Sequence, residues 1–399
     1  MTDVIAYLTD VEGRWDKLAS FVEGNAHVWL EGEALRLADG VTFVFGGDAI
    51  DRGPAGRRIV ALLLAARRAY GERVVLLAGN RDINKLRLVR ELAGAPPPDA
   101  PAAASRGELL RWIFATTMGA PKAFDHRATE LAAGGPPVGD DAVVDSYLED
   151  LAPGGALRTY LGECRLGFRA GATLFLHGGV TAENLGVVPG VAAAAAEVDM
   201  WLAALDRFYA DELAAFAAGR TPAELIAYQA PHPGTHLNQH SVVYARPTDE
   251  LGNPHLPDAD VVARLQASGI GRLVVGHTPS GDCPALVRDG GFELVLADNS
   301  YGRLELGSQL AFHDDTTHVR ATTQLDDGTR VRVDFTSARG DLASPLGRRD
   351  RDRGQLVKAC LADGAYLMFR GRAGHLVEQT VVHATELAGR PLEAARDRG

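Results

Sequence analysis

Short apolar runs separated by polar, glycine-containing turns dominate about the first 300 residues. Val4 to Thr9, Val41 to Phe45, Arg73 to Ala78, Ala172 to Leu176, Arg272 to Val275 and Glu293 to Ala297 are nearly unbroken hydrophobic segments. That length and pattern predict strands buried on both faces. Helical spacing appears between them. Arg14 to Val22 reads as a helix, and so does Ala55 to Tyr70, where Ile59, Leu62, Leu63 and Ala66 share one face with arginines between. Three strand–loop–helix units in succession imply a mainly parallel or mixed sheet with helices on its faces.

The rhythm then loosens. Gly94 to Ala104 is rich in proline and alanine and reads as a surface loop, while Gly107 to Met118 and Ala142 to Leu151 read as helices. Residues from about 91 to 171 are therefore expected to form a helical insertion over the sheet's active edge. A second helical insertion is expected at about 191–230. Its alanines are interrupted by Glu197, Asp199, Asp206, Arg207, Asp211 and Glu212, so it is a solvated helix and not a membrane span. Ser241 to Arg246 reads as a strand and Ala259 to Ala267 as a helix. The last ~90 residues alternate with period two. Arg303 to Phe312, Val319 to Leu325, Thr329 to Thr336, Ala365 to Phe369 and His375 to His383 read as strands, Asp326-Asp327-Gly328 as a hairpin turn, and Arg348 to Arg353 as a charged loop. The fold class expected is α/β: a core of mixed sheets flanked by helices over 1–310, with a β-rich extension, 311–399, packed on it.

Composition narrows the function. Hydrophobic residues make up 46% of 399, enough for a large core. A net charge of -11 argues against a broad nucleic-acid footprint, yet leaves room for a locally positive site that takes a phosphorylated substrate. Cys164, Cys283 and Cys360 are odd in number and far apart, which suggests neither a disulfide framework nor a cysteine zinc site, so a reducing cytosol is expected. The segment Met1 to Leu8 lacks the basic region and long apolar core of a signal peptide.

The chemistry is concentrated where strands end. Asp10 and Glu12, Asp48, Asn80, His177 and His277 each follow an apolar strand beside a glycine or other small turn. Carboxylates, an amide and two imidazoles suit manganese, iron or zinc, and the count suits two ions sharing a carboxylate. The loop Gly46-Gly47-Asp48-Ala49-Ile50-Asp51-Arg52-Gly53 adds a guanidinium whose planar fork suits phosphate oxygens.

In order and spacing these motifs resemble the calcineurin-like metallophosphoesterases, closest to the branch of phosphoprotein phosphatases and diadenosine-tetraphosphatases. Gly47 to Gly53 matches that family's Gly-Asp-x-x-Asp-Arg-Gly, His177-Gly178-Gly179 its histidine motif, and Gly276-His277 its Gly-His. The likeness extends from Asp10 to about Asn299. It implies that Asp10 holds a first metal, that Asp48 bridges two, and that Asn80, His177 and His277 hold the second. Arg52 and Arg246 would bind substrate phosphate, and hydrolysis of a phosphomonoester, protein or small molecule, would proceed by a metal-bridging hydroxide. Two residues depart from the pattern. Glu12 stands where the family has a histidine ligand, which makes the first site harder and favours manganese or magnesium over zinc. Arg81 stands where the family has a histidine that pairs with an aspartate, here Asp51, and protonates the leaving group. Arginine stays protonated and is a poor proton donor, though it can neutralise developing charge. The leaving group is then a good one, as in an aryl phosphate or a phosphoanhydride, the latter pointing to a hydrolase of a nucleotide or dinucleoside polyphosphate; or His232, His236 or His240 donates; or the chain is a phosphate- or phosphopeptide-binding pseudoenzyme. Asp298 is read as a turn-forming aspartate, with orientation of His277 as the alternative. Asp16, Asn84 and Lys85 are assigned no role.

Overall fold

The structure, a computed structural model, describes residues 4–102, 105–192, 194–195, 197–232, 234–373 and 376–397. Parts of the expected loop at 94–104, of the insertion at 191–230, of the start of the chain and the His375 end of the last expected strand lie outside the described residues.

Two sheets form the core. The first is seven-stranded, in the order Arg330–Ala338, Thr316–Gln324, Gln309–His313, Val4–Leu8, Val41–Phe45, Val74–Leu77 and Cys164–Arg165. Val4–Leu8, Val41–Phe45, Val74–Leu77 and Cys164–Arg165 run parallel, and Val4–Leu8 pairs antiparallel with Gln309–His313. The second is five-stranded, in the order Ala285–Asp289, Phe292–Leu296, Arg272–Val275, Thr173–Leu176 and Gly167–Ala170, with its three central strands parallel. Both sheets are mixed, as the pattern predicts.

Alternation along each strand sorts its residues. Tyr7, Val44, Val75, Leu77, Phe175, Val274 and Val295 join one buried cluster between the sheets, whereas Ala6, Leu8, Phe43, Phe45 and Leu76 join the cluster that includes Ile59 and Leu63 of the helix Gly56–Tyr70. Tyr7 stacks on Phe175 at 5.6 Å between ring centroids, and Phe312 meets Phe175 edge-on at 5.6 Å. Each such ring removed from water contributes about 1.5–3 kcal/mol.

Four helices, Arg106–Trp112, Ala123–Ala132, Asp140–Leu151 and Ala156–Glu163, fill the first insertion, and Val198–Ala217 and Ala223–Tyr228 fill the second. Among the described residues, no helix is long and apolar enough to cross a membrane.

The C-terminal part is β-rich, but residue 310 falls within Gln309–His313, so the strands up to Ala338 extend the first sheet. A separate antiparallel sheet begins later: Leu376–Val382, Tyr366–Arg372, Leu356–Cys360, Arg348–Asp350 and Leu392–Ala394. Three local expectations change. Ser241 to Arg246 is a turn: Ala245 N–H donates to Ser241 O at 3.0 Å, and the turn's carbonyls take the N–H groups of Gly178 and Gly179. Its valines are buried because it is clamped on the His-Gly-Gly segment. Residues 348–350 form a strand inside the expected charged loop, with Arg349 donating to Pro254 O at 3.0 Å and Asp350 paired with Arg390 at 3.1 Å. Only Gln309–His313 of the span Arg303 to Phe312 begins a strand, and residues before it are turns and bends.

Candidate metal centre and phosphate pocket

Parallel strands bring their carboxyl ends to one edge, where open α/β sheets place their sites. The loops after Val4–Leu8, Val41–Phe45, Val74–Leu77, Thr173–Leu176 and Arg272–Val275 meet there. They are strained. Outside glycine, positive φ falls on Asp10 (51°), Glu12 (49°), Asp48 (56°), Asp51 (104°) and His277 (57°), besides Ala133 and Asp314 elsewhere. Each costs of order 1–3 kcal/mol, so the surroundings must hold it. Backbone bonds zip the first loop to the second: Asp10 N–H to Gly47 O (3.0 Å), Glu12 N–H to Asp48 O (2.9 Å), Gly13 N–H to Ala49 O (2.7 Å). The buried Asp82 carboxylate accepts from the N–H groups of Asp48 (2.9 Å), Ala49 (2.9 Å) and Gly79 (3.1 Å), which ties the second loop to the third. Burial, and then the charge of Asp48, pushes the Asp82 carboxyl up to about 7. Glycine is required at 79 and 276, where a Cβ would overlap Asp48 Oδ1 and Asp10 Oδ2 respectively.

Asp48, His177 and His277, all buried, bring ligand atoms within 4.8 Å of one another. His177 Nδ1 sits 2.8 Å from Gly46 O; as donor there, it leaves the Nε2 lone pair toward Asn80 Oδ1 (3.3 Å) and Asp48 Oδ1 (3.4 Å). His277 Nδ1 lies 2.9 Å from the same Asn80 oxygen, and its ring packs against Tyr244 at 4.7 Å between centroids. Burial, then Arg246 and His177, hold the His277 imidazole well below the usual histidine range, hence neutral. One carboxylate, one amide oxygen and two imidazoles converging on one point fit a divalent ion of the manganese, iron or zinc kind.

Asp10 and Glu12 border the same pocket. Asp10 is already bonded by Thr9 Oγ1 (2.5 Å) and by His277 N–H (3.2 Å to each oxygen), and Lys17 Nζ donates to its backbone carbonyl at 2.6 Å. Glu12 Oε1 faces Arg81 Nε at 2.6 Å and Arg52 Nε at 3.5 Å, and its buried Oε2 has no partner. Burial pushes the Glu12 carboxyl up to about 7, with Arg81 and Arg52 pulling it down. Arg81 Nε also lies 3.4 Å from Asp48 Oδ2.

Asp51 does not pair mainly with Arg81, whose Nη1 is 4.0 Å away. Its close partner is the fully buried Lys85, with Nζ at 2.6 Å. Tyr301 bonds Arg52 through its hydroxyl, lies 3.4 Å from Arg81 Nη2, and takes the Arg52 guanidinium over its ring at 3.7 Å. Arg246, near the Tyr244 ring, lines the pocket. Of the three nearby histidines only His236 lines it, while His232 and His240 pack on each other edge-on at 5.3 Å. Asp298 makes the turn bond, accepting Ser300 N–H at 2.7 Å.

The pocket has a volume of about 320 Å³. Thr116 to Gly119 of the first insertion and Gln229 to Pro231 beside the second form its far wall. The sequence pattern pointed to neither Lys85 nor Tyr301. Asp82 was within reach, since it occupies the acidic last position of Gly79-Asn80-Arg81-Asp82.

Solved structures resemble the chain, three of them as follows. A cold-active protein-tyrosine phosphatase from a Shewanella species is 17% identical, with 83% of this chain and 80% of that chain covered and a TM-score of 0.45. A protein serine/threonine phosphatase from Saccharomyces cerevisiae is 12% identical, with 84% and 81% covered and a TM-score of 0.38. A metallophosphoesterase from Sphaerobacter thermophilus is 10% identical, with 83% and 87% covered and a TM-score of 0.34. No curated protein matches the chain. A family model does match, over residues 4–281, which is more than half of the chain and carries every expected site residue. That model describes the calcineurin-like phosphoesterases, and this chain belongs to their family as a metal-dependent phosphoesterase.

Proposed function

We propose that the chain hydrolyses phosphate monoesters, using a divalent ion held by Asp48, Asn80, His177 and His277. The observation that carries this reading is the convergence of those four side chains: Asp48, Asn80 and His277 line one pocket beside Arg81 and Arg246, the fully buried His177 reaches Asn80 and Asp48, and Arg52 packs on Tyr301 of the pocket lining. When bound, such an ion polarises a phosphoryl oxygen and lowers the pKa of a water. The chain's own groups do the rest. Arg246 and Arg52 take phosphoryl oxygens, and Tyr301 keeps the Arg52 guanidinium aimed across its ring. Arg81 neutralises charge on the departing oxygen without giving up its proton. A pocket of about 320 Å³ suits a small phosphate ester or one phosphorylated side chain. The three free cysteines suit a reducing cytosol, where we place the protein.

Purified full-length chain supplied with manganese is expected to turn over an aryl phosphate. Asp48→Asn should lower the rate at least about 100-fold, because even changes behind metal ligands cost 10–100-fold. An unchanged rate would remove Asp48 from the site.

A second reading, hydrolysis of a phosphoanhydride, is favoured by one observation: Arg81 stands where an acid would protonate a poor leaving group. Comparing rates on a phosphomonoester and a dinucleoside polyphosphate separates the two.

A further inference from the structure

The expected first ion needs room and free lone pairs among Asp10, Glu12 and Asp48, and the Arg81 side chain already lies among them. Its Nε is 2.6 Å from Glu12 Oε1 and 3.4 Å from Asp48 Oδ2, and its Nη1 is 4.0 Å from Asp51 Oδ2. Its backbone N–H also donates to Asp48 Oδ1 at 2.9 Å, so the residue is anchored on the same carboxylate from two sides. Asp10 already accepts from Thr9 Oγ1 and, through both oxygens, from His277 N–H. Glu12 Oε2 is buried without a partner, one donor atom where a cation needs several.

The side chain of Arg81 is only 11% exposed. Its exits are bordered by Met118 O at 3.5 Å and by the Tyr301 hydroxyl at 3.4 Å. To leave, it would have to give up its carboxylate contacts, and Lys85 already holds Asp51. A permanently charged guanidinium so near Asp48 repels a divalent ion that tries to share the space. The cluster of Asp48, Asn80, His177 and His277 shares only Asp48 with these Arg81 contacts among the described residues.

We propose that this phosphoesterase has a centre with one metal ion, and that the Arg81 guanidinium is a built-in cation in place of the second. The inference rests on the metal site read above. It makes Glu12 a counter-ion for Arg81, and it explains why Glu12 and Arg81 depart from the family pattern together: a carboxylate pairs with a guanidinium where an imidazole would not. Part of the positive charge that faces the phosphate is then covalently fixed, so chelators cannot remove it.

Metal stoichiometry tests this without activity. Full-length protein is stripped by chelation, titrated with manganese in a calorimeter, and examined by electron paramagnetic resonance. The wild type is expected to bind one ion per chain with an isolated-ion spectrum. His277→Ala should weaken that binding at least about 10-fold, whereas Glu12→Gln should leave the stoichiometry at one. Arg81→Ala is expected to admit a second ion and to show a spin-coupled pair. Two ions in the wild type, with a coupled spectrum, overturn this proposal and leave the phosphoesterase reading standing. A single ion lost in Glu12→Gln but kept in His277→Ala also overturns it. No ion at all would sink both. The wild-type count decides even if a variant fails to fold.

Discussion

Lys85 is fully buried, and its ammonium meets Asp51 at 2.6 Å. Removing one partner of a buried pair strands the other charge, so Lys85→Met is expected to destabilise the protein by about 3–5 kcal/mol. Urea denaturation of metal-free protein measures it, and a loss under about 1 kcal/mol would mean that Asp51 is solvated. Glu12 gives a pH signature. Its folded carboxyl titrates at about 7 against an ordinary 4.5. A raised acid pKa contributes stability in full below the unfolded value, and that stability is lost as pH rises through the folded value. Metal-free wild type should therefore lose about 3 kcal/mol from this group between roughly pH 4.5 and 7, and Glu12→Gln should make that stretch shallower by about this amount, the raised Asp82 carboxyl still contributing its own slope. Parallel curves for the two would contradict the assignment. At this scale the side chains that converge at the strand ends, Asp48, Asn80, His177 and His277, were legible as residues, because each stands directly after an apolar strand. The Asp51–Lys85 pair was not, since Lys85 reaches back to a loop 34 positions away. Tyr301 was not legible either, because it comes to Arg52 across 249 positions.

The loops that carry these groups are held by one another more than by their own propensities. Asp82 accepts three backbone N–H groups from two loops. Asp82→Ala leaves those donors buried, at about 1–3 kcal/mol each, and frees Asp48 to move. Weaker manganese binding by Asp82→Ala in a titration is the expected result, with a lower melting temperature. Unaltered affinity would show that Asp48 is positioned by other contacts. The strands were legible because strands buried on both faces are continuous apolar runs. Ser241 to Arg246 deceived for the same reason: Val242 and Val243 are fully buried, but in a turn clamped on Gly178 and Gly179. Burial there comes from a neighbour on each side, and period alone cannot tell it from a sheet.

Across the whole molecule, the C-terminal sheet is not a loose appendage. Leu346, Ala359, Leu361 and Leu367 are buried in the same cluster as Tyr7, Phe175 and Val274 between the two core sheets. Deleting residues 346–399 should therefore expose that cluster, lower the melting temperature and increase binding of a hydrophobic dye. A truncated chain as stable as the full one would show that the core closes without it. The sequence pattern showed a β-rich end. It did not show where that end joins the core, because period two marks a half-buried strand without naming its partner. On the function proposed above, an ion gathered by the convergent strand ends makes this fold a phosphoesterase. The most direct test is the rate of phosphate release from an aryl phosphate by full-length chain before chelation, after it, and after manganese is returned. Loss on chelation and recovery with manganese are the expected result; a rate that chelation leaves untouched would contradict it.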